Sequence, residues 1–200
     1  MKKVLLTLTL GLGLLTASAQ IQQLAGPRIG MTLITAGSTA DFFHKGSDYV
    51  EYKDAYNDAT HKLGETGYAL TTQYGWQWES RFADGGGDVV GIVEWIALVS
   101  GMEQGMFLPS FTSVIGARTA NGLEFGVGPN LSIAPLLYGK TDQAVGMVFA
   151  IGKNFQSGSL NMPVNLVFMP GKDVDSDKFG GYTYNSGARI SLMVGFNLAK

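Results

Sequence analysis

The chain has 200 residues, no cysteine, 15% charged residues and a formal charge of −2. Without cysteine there are no disulfides and no thiolate metal sites. A mildly acidic balance also disfavours nucleic acid, or an electrostatic grip on anionic lipid, as the binding partner.

The first twenty residues, MKKVLLTLTLGLGLLTASAQ, place Lys2 and Lys3 before an apolar stretch from Val4 to Leu15 and end in Ala17-Ser18-Ala19. That is the layout of a secretory signal peptide over 1–19, cleaved before Gln20. The stretch is short of the roughly 20 residues a spanning helix needs. Losing Lys2 and Lys3 takes the formal charge from −2 to −4 and leaves one domain, 20–200.

The first strand is expected at 27–35, where Ile29, Met31 and Leu33 alternate with Arg28, Gly30 and Thr32. Alternation with period two marks a strand with two unlike faces. A long connection, 36–67, follows. It holds both histidines, His44 and His61, and Tyr49, Tyr52 and Tyr56 at helical spacing. Neither histidine has a nucleophile motif such as G-x-S-x-G around it, so both read as solvated loop residues. A lipid-modifying enzyme using either of them is the remote alternative.

Residues 68–81 set Tyr68, Leu70, Tyr74, Trp76 and Trp78 against Thr71, Gln73, Gly75, Gln77, Glu79 and Arg81. The apolar run 89–102 carries Glu94 near its middle and reads as a strand from its Val and Ile content, although short apolar runs also suit a buried helix. Weaker alternation at 109–119 has Phe111 and Ile115 opposite Ser110, Thr112 and Arg118. In 121–135, Leu123, Phe125, Val127, Pro129, Leu131 and Ile133 alternate strictly with Glu124, Gly126, Gly128, Asn130, Ser132 and Ala134.

Strands 144–155 and 159–169 point Val145, Met147, Phe149, Ile151, Phe155, Leu160, Leu166 and Phe168 one way. Pro163 deletes a ladder donor within the second and calls for locally irregular pairing. Loop 170–186 spaces Asp173, Asp175 and Asp177 alternately. Lys178 and Tyr184 occupy the positions where an EF-hand loop needs Gly and Glu, so it reads as a hydrophilic, mobile loop. The final strand, 187–199, opposes Ile190, Leu192, Val194 and Phe196 to Arg189, Ser191, Gly195 and Asn197.

Eight such strands define an all-β, eight-stranded, antiparallel up-and-down barrel. In an outer-membrane barrel the apolar face meets lipid; in a soluble lipocalin-like barrel it points inward. The small residues of the polar face fit a narrow, filled interior. The gaps 82–88, 120–122 and 156–158 are short, whereas 36–67, 103–108, 134–143 and 170–186 are long or moderate. That contrast matches periplasmic turns alternating with external loops. Tyr68, Trp76, Trp78, Phe125, Phe155, Phe168 and Phe196 fall near strand ends, as aromatic girdles do, while Phe149 sits mid-strand. The soluble alternative would hold an apolar ligand among Tyr74, Trp76, Trp78 and Phe125.

The ASAQ signal end, the EFGVGPNLS strand and the closing RISLMVGFNLAK resemble small outer-membrane β-barrel proteins of the Bacteroidota. That resemblance implies an outer-membrane location, with membrane lipid and the barrel-assembly machinery as partners, and assigns no activity and no cofactor. Barrels of this kind often finish on an aromatic residue; here Phe196 precedes Asn197-Leu198-Ala199-Lys200.

The inward set is then Arg28, Glu79, Arg81, Glu94, Arg118, Glu124 and Arg189. With Ala120-Asn121-Gly122 as a three-residue loop, Arg118 falls opposite Glu124. These residues read as a packed polar plug in preference to a gate, because interior ions must pair. External loops then carry any surface interaction, and the barrel is not an open pore.

Overall fold

A computed structural model describes residues 24–44, 66–84, 88–135, 141–176 and 182–198. The expected signal segment, His61, the three loop tyrosines and Asp177 lie outside them. The strands are β1 (Leu24–Ile34), β2 (Ala69–Asp84), β3 (Val89–Ser100), β4 (Leu108–Thr119), β5 (Leu123–Pro135), β6 (Thr141–Ser157) and β7 (Leu160–Met169). A hairpin of β8 (Asp173–Ser176) and β9 (Tyr182–Asn185) follows, then β10 (Arg189–Gly195) and β11 (Asn197–Leu198).

Consecutive strands pair antiparallel from β1 to β7, and β10 pairs with both β7 and β1. The sheet therefore closes on itself. β10 and β11 are halves of one wall strand interrupted at Phe196, which makes the wall eight-stranded. Among the turns, 120–122 and 158–159 are tight, with Gly122 and Gly158 at positive φ. The chain spans 35–68, 101–107 and 170–188 join strands at the opposite end.

The ambiguous run at 89–102 is a strand. It stops at Ser100 because Gly101, at φ 79°, turns the chain into a short 3-10 segment, Met102–Gln104. Two features depart from the sequence reading. Residues 38–44 are helical, with Ala40 buried against Ile34 and Ala69. The loop expected to be mobile at 170–186 contains the β8–β9 hairpin, in which Asn185 donates to Asp173 at 2.7 Å. Strands of four residues are too short for an alternation to stand out from loop sequence.

The wall is apolar outside and polar inside. Ile29, Met31, Leu33, Ile115, Val127, Leu131, Met147, Ile151 and Leu192 are exposed. Arg28, Thr32, Gln77, Glu79, Glu94, Thr112, Arg118, Glu124, Asn130 and Asn165 are buried.

Pro163 sits at a gap in the ladder. Pairing of β7 resumes on either side of it, at Val164 opposite Val194 and Asn161 opposite Asn197. Pro27 flanks the same gap from β1, accepting a bond from the Phe196 amide at 3.3 Å. Pro129 lies where the β4–β5 ladder skips from Thr112–Asn130 to Ile115–Val127. Each proline thus falls where one of its two ladders is already broken, so its missing N–H removes little.

Candidate functional site in the barrel lumen

Strand parity delivers the inward charges to one level. Arg118 on β4 is in register with Glu124 on β5, and its Nε donates to Glu124 Oε1 at 2.5 Å. Its Nη1 and Nη2 donate to the two carboxylate oxygens of Glu79 at 2.6 and 2.5 Å. This bidentate fork is the geometry that makes arginine–carboxylate pairs strong. Arg81 approaches Glu79 at 4.0 Å from the turn end.

Glu79 stands opposite Glu94 in the β2–β3 register. Glu94 accepts from Gln77 Nε2 at 2.5 Å, and Gln77 Oε1 accepts from Arg28 Nε at 2.5 Å. Asn197 Oδ1 lies 3.4 Å from Arg28 Nη1. Six of the seven inward residues foreseen from sequence therefore gather at one level of the lumen, three arginines with three glutamates, in two neighbouring groups: Arg118 with Glu79, Glu124 and Arg81, and Arg28 linked to Glu94 through Gln77. Gln77 and Asn197 complete the second group. Both lie on the correct parity, but neither is charged, and a search for charges passes over them.

Arg189 is not part of this cluster. It sits on β10 opposite Ile34 and Met169, near the long-loop end.

The cluster divides the lumen. Toward the tight turns is an open polar dish of about 440 Å³ lined by Arg81, Asp88, Lys153, Gln156 and Asn161. Toward the long loops is a cavity of about 100 Å³, floored by Arg28 and Glu94 and reached by Thr39 and Phe43 of the helical segment.

All seven proposed girdle residues are exposed: Trp76, Trp78, Phe125, Phe155 and Phe168 on wall strands, Tyr68 just before β2, and Phe196 at the break between β10 and β11. Trp78 stands opposite Trp95, and Phe168 opposite Phe149, so Phe149 has an aromatic neighbour despite its mid-strand position. Tyr74, Trp76, Trp78 and Phe125 all face outward. This overturns the alternative in which they line an internal ligand cavity. Gln77 and Glu79 need partners that only the lumen supplies, and they fix the parity of β2.

His44 is exposed and donates from Nε2 to the Tyr68 carbonyl at 2.8 Å, tying the helical segment to the start of β2. Among the described residues no three His, Asp or Glu converge as a metal site.

In the 101–107 loop, Glu103 receives the Thr72 amide and hydroxyl, both at 2.7 Å. Slight burial pushes its carboxyl up, but hydrogen bonds from Thr72, Thr71 and backbone amides outweigh this and hold it at about 2. A carboxylate depressed in the folded state gives stability that is present above its ordinary value and lost as pH falls through the folded one. The Thr72 amide resonance should therefore move with a midpoint near 2 in an acid titration followed by NMR. A midpoint at 4.5, the ordinary glutamate value, would mean the loop is not held by this contact.

A closed, eight-stranded antiparallel barrel with a charged lumen and an apolar exterior is the class these features define. No protein-family model matches the chain, and neither does any curated protein sequence. Among solved structures it is similar to Neisserial surface protein A (NspA), at 9% identity over 89% of this chain and 97% of that one, with a TM-score of 0.46. It is also similar to Ail, the attachment invasion locus protein of Yersinia pestis, at 11% identity over 88% and 97%, with a TM-score of 0.23.

Proposed function

We propose that this chain is a non-enzymatic outer-membrane barrel of a Gram-negative bacterium, with a structural or surface-interaction role exercised through its external loops. The observation that carries this reading is the inversion of faces: an apolar wall outside and paired charges inside. In water that arrangement would expose the wrong face. In a bilayer it satisfies both solvents, because a closed barrel leaves no backbone edge in lipid.

Residues 1–19 direct export, and the tight turns face the periplasm. Outer-membrane lipid and the assembly machinery are the partners, and the external-loop partner is a surface molecule still to be found. The resemblance of the strand motifs suggests a Bacteroidota source. The charge network across the lumen supports a closed barrel without an open pore, and the reading requires no cofactor. The seven-residue inward set is structural in this reading, and the outward aromatics anchor the wall at the two interfaces.

Membrane fractionation with electrophoresis before and after boiling tests this. The expected result is an outer-membrane protein whose band shifts on boiling. A soluble periplasmic protein with no shift would overturn the reading.

A further inference from the structure

One charge stands on the outward face of the wall. Along that face β6 presents Phe149, Ile151, Lys153 and Phe155, and Lys153 is exposed. Among the described wall side chains it is the only charged one to face outward; Arg28, Glu79, Glu94, Arg118 and Glu124 are buried in the lumen. Its neighbours on the face are all apolar: Ile151 and Phe155 along the strand, Leu123 across on β5 and Val164 across on β7. The ion pairs among the described residues lie inside the barrel, and none includes Lys153. An ammonium ringed by hydrocarbon needs water or an anion at its head.

The register sets the level of this lysine. Leu123, opposite it, is the first residue of β5. The amide of Asn154, the next residue, donates to the Gly122 carbonyl in the 120–122 turn at 2.7 Å. Lys153 therefore stands at the tight-turn rim. Its amine lies 5.6 Å from the ring centroid of Phe155, two residues further toward the β6–β7 turn. The stem thus bends out of the apolar band, as long cationic side chains do at a membrane edge, and the ring helps hold the amine against the wall. Aromatic rings of a barrel girdle sit at headgroup height, so the amine is placed among lipid phosphates.

We propose that Lys153 and Phe155 form a docking site for an anionic phospholipid of the periplasmic-side leaflet, its phosphate paired with the Lys153 ammonium and its chains lying along Ile151, Phe125 and Val164. The site rests on the outer-membrane reading above and adds a lipid class to it. The chain as a whole is mildly acidic and has no general attraction for anionic lipid, so a preference is traceable to this one residue.

The test uses the full mature chain in phosphatidylcholine vesicles with a minor share of phosphatidylglycerol. The gel shift on boiling first checks insertion, and native mass spectrometry after mild extraction then counts the lipids retained. Wild type should hold one phosphatidylglycerol, enriched about fivefold over its share of the vesicle, the effect of one lysine near a membrane surface. High salt should reduce that enrichment. Lys153→Met makes the wall more apolar and should insert, but should retain the two lipids in the proportions of the mixture. Lys153→Arg should keep the enrichment. Equal enrichment in wild type and Lys153→Met would overturn the site, as would insertion of the wild type without enrichment, because the lysine would then only reach water. A wild-type chain that does not insert would overturn the membrane reading, and the site with it.

Discussion

Arg118→Met should lower the stability of the barrel by about 3–5 kcal/mol, the usual cost of removing one partner from a buried ionic group. The reason is geometric. Arg118 bridges Glu79 and Glu124, whose side chains are respectively 0% and 5% exposed. Without it two carboxylates remain in the lumen, with only Arg81 at 4.0 Å from Glu79. Combining Arg118→Met with Glu79→Gln and Glu124→Gln removes the uncompensated charges and should recover most of the loss. Urea unfolding in vesicles, followed by the gel shift, measures both. A single variant that unfolds with the wild-type midpoint would show that the network does not hold the strands together.

Val127→Arg carries the next largest effect and addresses the wall. Val127 is exposed midway along β5, between Ile115 on β4 and Phe149 on β6. An arginine on the lipid face near the bilayer midplane costs about 2–4 kcal/mol. The same change on a water-facing surface typically falls within about 0.5 kcal/mol. The substitution touches no lumen residue, so its cost reports the medium outside the barrel. A midpoint unchanged from wild type would mean that this face meets water.

The strands were legible because apolar residues alternate with small and polar ones, and a charge within an apolar run fixes the parity of a whole strand. Glu94 marks the inward face of β3 in this way, whereas in β2 the alternation of Tyr74, Trp76 and Trp78 with Gln77 and Glu79 suffices. Arg118 and Glu124 could be paired in advance because the turn between them is only three residues long. The apolar lining near the long-loop end of the lumen was not legible. Ile34, Val114, Val148, Val167 and Met193 occupy positions of the polar parity, where one apolar residue looks like an imperfection in the alternation. Their meaning appears only when closure brings them to the same end of the barrel. The helical segment 38–44 was missed because its burial depends on Ile34 and Ala69, which no local period reveals.

The break at Phe196 has a bearing on how the ends of this sheet find each other. Closing the wall means docking its last strand between its first and its seventh, and a slip by two residues would keep every side chain on its proper face. Prolines at 27 and 163 forbid that slip cheaply. In the native register their absent donors meet the gap between β10 and β11. In a shifted register they would be set against residues whose carbonyls need a donor, and the wall would lose those bonds. The two rings thus act as alignment keys, so that the barrel can shut in one way only.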